Sequence, residues 1–205
     1  MYQRFVKRII DFLLSLIALL ILGLPMLLIA LIVRLDSSGP ALFRQTRVGQ
    51  HKKSFHILKF RSMRTDAPHD APTAELNGAE SYITKVGAFL RKTSLDELPQ
   101  LLNILVGQMS LIGPRPALFN QYALLEARER CGANDVRPGL TGWAQINGRD
   151  ELDDEEKARF DGEYAERISF AFDCKCFFGT IGKVLRGDDI VEGAHESVSA
   201  ASEKK

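Results

Sequence analysis

A run of 22 residues without a single charge, Phe12–Val33, constrains this chain more than any other feature. A transmembrane helix needs about 20 predominantly apolar residues, so this run is long enough to cross a bilayer. It is too long for the apolar part of a signal peptide, and no small-residue cleavage pattern follows it. The sequence therefore predicts a membrane helix at the N-terminus.

Two features of this run argue against a simple span. Gly23 and Pro25 lie near its middle, and proline removes an amide donor and clashes with the preceding helical turn. Basic residues flank the run on both sides, namely Arg4, Lys7 and Arg8 before it and Arg34, Arg44 and Arg47 after it. Positive flanks favour the cytoplasm. A helix hinged at Gly23, Leu24 and Pro25 that enters and leaves by one face satisfies both observations. A single span with a proline kink is the alternative.

Charge is divided unevenly along the chain. Residues 1–64 carry a net charge of +9 and the other 141 residues a net charge of −8. A basic half beside an apolar segment indicates contact with anionic lipid heads or phosphates, and a solvated basic surface is the alternative. No nucleic-acid-binding motif accompanies these residues, so nucleic acid is not predicted as a partner. Cys131, Cys174 and Cys176 have neither zinc-site nor thioredoxin-like spacing and are expected to be reduced thiols.

The rest of the chain predicts a mainly α fold with a small β element. Loose alternation over Ser54–Phe60 predicts a short strand. Apolar spacing and composition predict helices over residues 81–92, 95–106, 117–131, 151–167 and 170–186. The apolar stripe of the last helix packs either in the core or against the membrane, and the core is favoured. We therefore expect a membrane helix over residues 1–36, a membrane-associated globular catalytic domain over 37–186 and a flexible polar tail over 187–205.

The segment Thr93–Pro99 has two interpretations. Ser94 followed by Glu97 matches a helix capping box, and acidic residues are common in a first helical turn. Taken alone, the motif favours that interpretation. In the alternative, Asp96 is a carboxylate nucleophile that attacks phosphorus, with backbone amides at the helix N-terminus holding phosphate oxygens. Attack on an anionic diphosphate would need a cation, and Mg²⁺ held by carboxylates and phosphates is the usual choice.

Six segments together make the sequence recognisable, and they are Lys7–Asp11, Phe43–Gly49, Lys59–Met63, Ser94–Gln100, Ile112–Pro116 and Arg137–Arg149. The chain resembles the monotopic phosphoglycosyl transferases, small bacterial sugar transferases that prime glycoconjugate assembly. The resemblance implies a re-entrant membrane helix hinged at a proline and a cytosolic globular part sunk partly in the inner membrane. Some members carry serine before that proline. Leu24 stands there in this chain, so Gly23 is expected to supply the flexibility.

The resemblance also implies a reaction. A sugar-1-phosphate would move from a UDP-sugar to polyprenyl phosphate, with release of UMP and a covalent intermediate on Asp96. Asp96 and Glu97 would form the catalytic dyad and hold Mg²⁺. Arginine and lysine suit phosphate contact, and the predicted substrate-binding residues are Lys59, Arg61, Arg91, Arg115, Arg137, Gly139, Thr141, Gln145, Arg149 and Asp161.

Two other classes of function stay open at this stage. A membrane-bound hydrolase could use the same dyad, with water in place of the lipid phosphate. A non-enzymatic membrane anchor is the other candidate, although it would not need Asp96 and Glu97 among so many cations that can bind phosphate. The sequence leaves the identity of the sugar open, and it leaves homo-oligomerisation possible.

Overall fold

A computed structural model describes residues 2–68, 79–148 and 151–186 of the chain. The fold is mostly helical with two small sheets, as predicted. The helices are α1 (Lys7–Asp36), α2 (Lys85–Lys92), α3 (Gln100–Leu105), α4 (Tyr122–Arg130), α5 (Trp143–Ile146), α6 (Asp154–Glu166) and α7 (Phe170–Arg186). The strands are β1 (Leu42–Val48), β2 (Ser54–Phe60), β3 (Ser110–Ile112) and β4 (Gly139–Thr141). The predicted tail over 187–205 and Arg149 lie outside the described residues.

The N-terminal helix α1 is continuous over 30 residues and contains Pro25 in its interior. Together with the preceding helical turn it is the one stretch of the described chain that is long and apolar enough to cross a membrane. The predicted interruption of the helix at Leu24–Pro25 is therefore wrong at the level of secondary structure. Proline removes only one amide from the ladder, and the strongly helix-forming apolar sequence on both sides propagates through it.

One face of α1 packs along the globular part of the molecule. Ala18, Leu19 and Leu22 contact a cluster built on Ile57, Leu101, Ile104 and their neighbours. Further along, Val33 is buried with Phe60 and Leu90. The opposite face is exposed and apolar, and it includes Ile9, Phe12, Leu13, Ile17, Leu20, Ile21, Leu24, Leu27, Leu28, Leu31 and Leu35. The helix therefore has one face bound to the protein and one available to an apolar environment.

A buried polar cluster fastens the start of α1 to α6 and α7. Lys7 Nζ lies 2.6 Å from Asp173 Oδ2, and the Tyr2 hydroxyl donates to the same oxygen at 2.6 Å. The Tyr164 hydroxyl donates to the other oxygen, Asp173 Oδ1, at 2.6 Å. Asp11 accepts a hydrogen bond from the amide of Leu111 on β3. Charged groups so close to an apolar helix are stable only when they are paired in this way.

The two sheets are small and differ in type. Strands β1 and β2 form an antiparallel hairpin, with register running from Leu42 opposite Phe60 to Val48 opposite Ser54. The predicted strand Ser54–Phe60 is confirmed with the same bounds, whereas β1 was not predicted because its polar residues hide the alternation. Strands β3 and β4 are parallel and pair Ser110 with Gly139 and Ile112 with Thr141.

The predicted helices are confirmed with altered ends, except that residues 95–106 form a 3-10 turn followed by the short helix α3. Helix α7 has the predicted bounds, and α6 begins at Asp154 behind a capping box of Asp153 and Glu156. Helix α2 begins four residues later than predicted, where the Thr84 side chain accepts from the amide of Gly87. Both starts follow the side chain that satisfies the first unpaired amides, as expected for helix N-termini.

The apolar stripe of α7 was predicted to lie in the core, and that prediction is wrong. Phe170, Phe177 and Phe178 are exposed, and so are Ile181 and Val184. The residues that α7 buries are Phe172, Asp173 and Cys176. The physical reason is the Lys7–Asp173 ion pair, which turns the face that carries Asp173 towards the protein and the larger apolar face outward.

Candidate active site

The turn that carries Asp96 and Glu97 is not the start of a capped α-helix. Ser94 adopts the left-handed conformation, with φ of 54°, and its side chain makes no capping hydrogen bond. Leu95–Glu97 form a single 3-10 turn, and α3 begins after Pro99. The capping-box interpretation is therefore wrong, and so is the expectation of a long helix whose first amides face the site. A non-glycine residue in this conformation is costly and is found most often at functional sites.

Glu97 is held by two cations from distant parts of the chain. Its Oε1 atom accepts from Lys59 Nζ of β2 at 2.8 Å and from Arg115 Nη2 at 2.8 Å. Burial alone would raise the pKa of Glu97, but Arg115 and Lys59 outweigh it and hold the pKa well below its usual range. Burial lowers the pKa of Lys59, which Glu97 opposes. Glu97 is thus an ionised carboxylate that contacts both cations.

Asp96 has a different environment. It is only 8% exposed, and its carboxylate accepts no hydrogen bond from any residue that the structure describes. Burial raises its pKa, the charge of Lys59 lowers it, and Glu97 raises it further; the net direction is upward. A carboxylate without hydrogen bonds keeps its lone pairs available, which is what a nucleophile requires.

Further positive charge surrounds the dyad. Arg91 of α2 lowers the pKa of Asp96 by its charge. Arg47 of β1 is close enough that Arg115 lowers its pKa, after burial, to about 10. Arg47 Nη1 also donates to the carbonyl of Pro116 at 3.1 Å, next to Arg115. Arg47 was missing from the predicted site, although its place in the segment Phe43–Gly49 could have indicated it.

Arg61 was predicted to bind substrate, and the structure shows its guanidinium bonded to backbone carbonyls. Its guanidinium is 4% exposed and donates to the backbone carbonyls of Val33, Ser37 and Ser38. These carbonyls belong to the last turn of α1 and the residues after it, which lack helical partners of their own. Arg61 therefore holds the C-terminal end of α1, and a part for it in substrate binding stays a prediction.

Asp161 was also predicted in the substrate site, and the structure places it elsewhere. It is fully buried, and its Oδ2 atom accepts from Arg128 Nε and Nη2 at 2.8 and 2.6 Å. Burial raises the pKa of Asp161, and Arg128 lowers it. The ion pair joins α6 to α4 in the interior, so Asp161 is not brought to Asp96 and Glu97.

The segment 137–145 lies beside the loop that carries Arg115. A Cβ atom on Gly113 would lie 2.4 Å from the carbonyl oxygen of Arg137, and one on Gly139 would lie 2.1 Å from the amide nitrogen of Gly113. Both positions therefore require glycine because the two backbones touch. This close approach explains how residues far apart in sequence reach the same region as Arg115.

Two predicted substrate-binding residues in this segment, Thr141 and Gln145, differ in their hydrogen bonding. The hydroxyl of Thr141 is engaged with that of Thr180 on α7 at 2.7 Å. Gln145 is buried, and neither its amide oxygen nor its amide nitrogen has a hydrogen-bond partner among the described residues. Buried amides are nearly always bonded, so Gln145 is a group that a bound molecule could satisfy. Substrate binding by Arg137, Gly139, Thr141 and Gln145 stays a prediction.

The predicted Mg²⁺ site can be judged by its donors. In the described ranges there is no group of three or more His, Cys, Asp or Glu side chains that could hold a metal. Asp96 and Glu97 supply two carboxylates, and Glu97 Oε1 is already bonded to Lys59 and Arg115. Mg²⁺ typically binds one or two carboxylates together with substrate phosphates and water, so this donor set fits an ion that binds with a phosphorylated substrate.

The fold and site together define a protein with a membrane-length apolar helix beside an acidic pair surrounded by cations. Residues 2–187 match the bacterial sugar transferase family. The chain belongs to this family and is a transferase, so the resemblance seen in the sequence is confirmed and the anchor hypothesis is set aside.

Similar proteins from other bacteria support the assignment to this family. The chain is 44% identical over 189 residues to the UDP-glucose:undecaprenyl-phosphate glucose-1-phosphate transferase of Escherichia coli K12, covering 88% of this chain and 40% of that protein. It is 39% identical to a sugar transferase of Bacillus subtilis, with 92% of each chain covered. It is 41% identical to an exopolysaccharide production protein of Rhizobium leguminosarum, covering 88% of this chain and 96% of the relative. The chain thus spans under half of the first relative and nearly all of the other two.

Proposed function

We propose that this transferase moves a sugar-1-phosphate from a UDP-sugar to polyprenyl phosphate and releases UMP, as the first step of glycoconjugate assembly. Relatives from Escherichia coli and Aeromonas hydrophila are named as UDP-sugar:undecaprenyl-phosphate transferases for glucose-1-phosphate and N-acetylgalactosamine phosphate respectively. The observation that carries the proposal is the contrast within the dyad. Asp96 accepts no hydrogen bond from the described residues, whereas Glu97 is bound to Lys59 and Arg115.

In this proposal the reaction has two displacements at one phosphorus. An oxygen of Asp96 attacks the phosphorus that bears the sugar, the bond to UMP breaks, and an aspartyl phospho-sugar forms. An oxygen of polyprenyl phosphate then attacks the same phosphorus, and the carboxylate of Asp96 is released. Lys59, Arg91 and Arg115 offset the negative charge that develops on the phosphoryl oxygens. Glu97 takes no part in bond making and keeps Lys59 and Arg115 in place.

Asp96 and Glu97 would hold Mg²⁺ in this scheme. When bound, the ion would reduce the repulsion between a carboxylate and an anionic diphosphate. Because burial disfavours ionisation of Asp96, any added cation would also favour the reactive, deprotonated carboxylate.

We further propose that α1, although helical throughout, bends at Pro25 and is re-entrant, and that the catalytic part lies at the cytoplasmic face of the inner membrane. Both ends of α1 contact the same globular body, since Arg8 donates to the carbonyls of Ile104 and Leu105 and Arg61 donates to that of Val33. A straight span would carry one end about 30 Å away across the hydrocarbon core. The exposed apolar faces of α1 and α7 would then both meet lipid.

A direct assay tests the proposed reaction. The full chain in detergent is incubated with a panel of UDP-sugars and undecaprenyl phosphate, and released UMP and lipid-linked product are measured. We expect UMP and a lipid diphosphate sugar with at least one donor, loss of turnover in EDTA and recovery with Mg²⁺. UMP with free sugar phosphate would identify a hydrolase instead. Absence of UMP with every donor, or undiminished activity in EDTA, would contradict the corresponding part of the proposal.

A further inference from the structure

Apart from the site around Asp96 and Glu97, a groove lies between the β1–β2 hairpin and α3. It has a volume of about 560 Å³ and is lined by Arg44, His56, Leu58, Leu102, Asn103, Val106 and Gln108. Such a volume falls in the range of small-molecule sites in proteins. Side chains alternate between the two faces of a strand, so Arg44, His56 and Leu58 point away from the face that carries Arg47 and Lys59. The groove is therefore separate from the dyad.

The polar lining of this groove is composed of hydrogen-bond donors and contains no carboxylate. Arg44 and His56 are exposed at its edge, and neither has an ion pair or a side-chain hydrogen bond among the described residues. Gln108 accepts a hydrogen bond from Asn103 Nδ2 at its amide oxygen, which leaves the amide nitrogen as the group that can face a ligand. A guanidinium, an imidazole N–H and an amide N–H together favour an anion, and a guanidinium matches phosphate best.

Asn103 gives the groove a fixed floor. It is 2% exposed, its Oδ1 accepts from the amide of Leu58 at 3.0 Å, and its Nδ2 donates to the carbonyl of His56 at 2.8 Å. These bonds hold α3 along the free edge of β2, so the donors are positioned before any ligand arrives. Pre-ordered donors lower the entropic cost of binding.

The other wall of the groove is apolar and leads to the membrane helix. Leu102 of α3 and Val106, the residue directly after α3, are both exposed. Arg8 of α1 binds the carbonyls of Ile104 and Leu105 and lies over the ring of Phe12 at 6.0 Å, so this end of α3 adjoins the exposed apolar face of α1. A ligand of this groove would thus meet Arg44 and His56 at one side and, at the other, an apolar surface that adjoins α1.

We propose that this groove binds one anionic glycerophospholipid, with its phosphate at Arg44, His56 and Gln108 and its acyl chains along Leu102 and Val106. The inference rests on the proposed membrane association of α1 and is independent of the transfer chemistry. Charge complementarity selects an anionic headgroup, and the apolar wall selects a lipid over a soluble phosphate. The bound lipid would set the depth of the hairpin, whose opposite face carries Lys59.

Photocrosslinking tests this site without any sugar nucleotide, so it can fail or succeed independently of the transferase assay. The full chain is placed in phosphatidylcholine nanodiscs that contain photoreactive phosphatidylglycerol or, separately, photoreactive phosphatidylcholine. Labelled peptides are then mapped by mass spectrometry. We expect the phosphatidylglycerol probe to label peptides of β1, β2 and α3 in preference to the phosphatidylcholine probe.

Three variants separate a specific site from general attraction. Arg44→Gln should lower phosphatidylglycerol labelling of the groove about tenfold, the loss expected for one charge-assisted contact. Leu102→Trp fills the groove without a change in charge and should also lower it. Arg130→Gln removes an exposed charge on α4 and should leave labelling unchanged.

Four results would overturn the proposal. They are equal losses in Arg44→Gln and Arg130→Gln, equal labelling by the two probes, no labelling in the groove, and displacement of phosphatidylglycerol by an equal amount of polyprenyl phosphate, which would make the groove an acceptor site instead.

Discussion

Asp96 and Glu97 are neighbours in the chain, yet their surroundings move the two pKa values in opposite directions. The turn that carries Asp96 contacts α2 and β2, its carboxylate accepts no hydrogen bond from the part of the chain that the structure describes, and burial raises its pKa. Glu97 is the anion of a three-membered cluster, and Arg115 and Lys59 lower its pKa. Pairs of this kind, in which the environment separates two similar groups, are typical of sites with divided roles.

Replacement of Asp96 by asparagine should abolish transfer and stabilise the fold. A carboxyl group whose pKa is raised in the folded state destabilises the fold. This destabilisation is absent below the pKa of the unfolded state and grows as pH rises towards the pKa of the folded state. Asp96→Asn removes this cost, so the melting temperature in EDTA should exceed that of wild type at neutral pH, and the gain should grow with pH. Asp66→Asn, at an exposed pair with Arg64, is the control and should change neither property. Retention of most transfer activity would exclude Asp96 as the nucleophile.

Replacement of Glu97 by glutamine should have the opposite effect on stability. The folded pKa of Glu97 is depressed, so its contribution is present above the unfolded pKa and is lost as pH falls through the folded pKa. Glu97→Gln leaves Lys59 and Arg115 without their anion and should cost about 3 kcal/mol at neutral pH. Denaturant unfolding in EDTA measures this cost, with Glu155→Gln at an exposed pair as the control. A stability equal to wild type would show that the cluster contributes nothing to folding.

Helix α1 is present as predicted, but it is continuous where an interruption was expected. The apolar run predicts the helix, and its end at Asp36 agrees with the expected boundary. Its placement along the globular part depends on interactions at both ends. Arg8 contacts α3, and Arg61 of the region after β2 holds the last turn.

Pro25→Ala should shift α1 towards a straight span. Alanine restores the amide that the carbonyl of Ile21 lacks, which favours helix continuity without a bend. A single cysteine at Gln3, with the three native cysteines replaced, is probed with an impermeant thiol reagent on spheroplasts. Gln3 is exposed, whereas Tyr2 bonds to Asp173 and would perturb the cluster.

Labelling at position 3 reports on which side of the membrane the N-terminus lies. The Pro25-containing chain should resist labelling, and the Pro25→Ala chain should gain some, limited by the contacts of Arg8 and Arg61. A cysteine at Glu155 serves as the control and should be labelled only after permeabilisation. Strong labelling at position 3 in the presence of Pro25 would show an ordinary span and reject the re-entrant arrangement.

At the scale of the whole molecule, the membrane helix is also part of the core. Ala18, Leu19 and Leu22 contact one buried cluster, and Val33 is 2% exposed within another. A chain that begins at residue 37 would lose both contributions together with the Lys7–Asp173 pair. Full burial of a valine or leucine side chain contributes about 1.5–3 kcal/mol, so Val33 and the partly buried leucines together supply a sizeable fraction of the stability of a domain.

We therefore expect residues 37–205 alone not to fold. Size-exclusion chromatography and thermal circular dichroism in the same detergent should show aggregation and no cooperative transition, with the full chain as reference. A monodisperse fragment that melts cooperatively would show that α1 is dispensable for folding and acts only as an anchor.

The features that local sequence determined are those set by spacing along one element. The alternation over Ser54–Phe60 and the apolar run of α1 depend only on neighbours within the same strand or helix. The pair Asp96–Glu97 was likewise visible because its residues are adjacent and lie in a recognisable motif. The bounds of α7 followed from the same local periodicity.

Tertiary structure alone decided which face of each element is buried and which partner each charge takes. Lys7 binds Asp173 across 166 positions, and this pair turns the aromatic face of α7 outward. Lys59 and Arg115 lie 38 and 18 residues from Glu97 in sequence, and both donate hydrogen bonds to its carboxylate. Glu97 therefore binds these two cations and forms no capping box with Ser94. Arg61 and Asp161 were predicted as polar residues of the substrate site, and only the folded structure shows their partners, the end of α1 and Arg128. Hydrophobic burial and ion pairing act through space, so a residue's partner depends on the folded arrangement of every element around it.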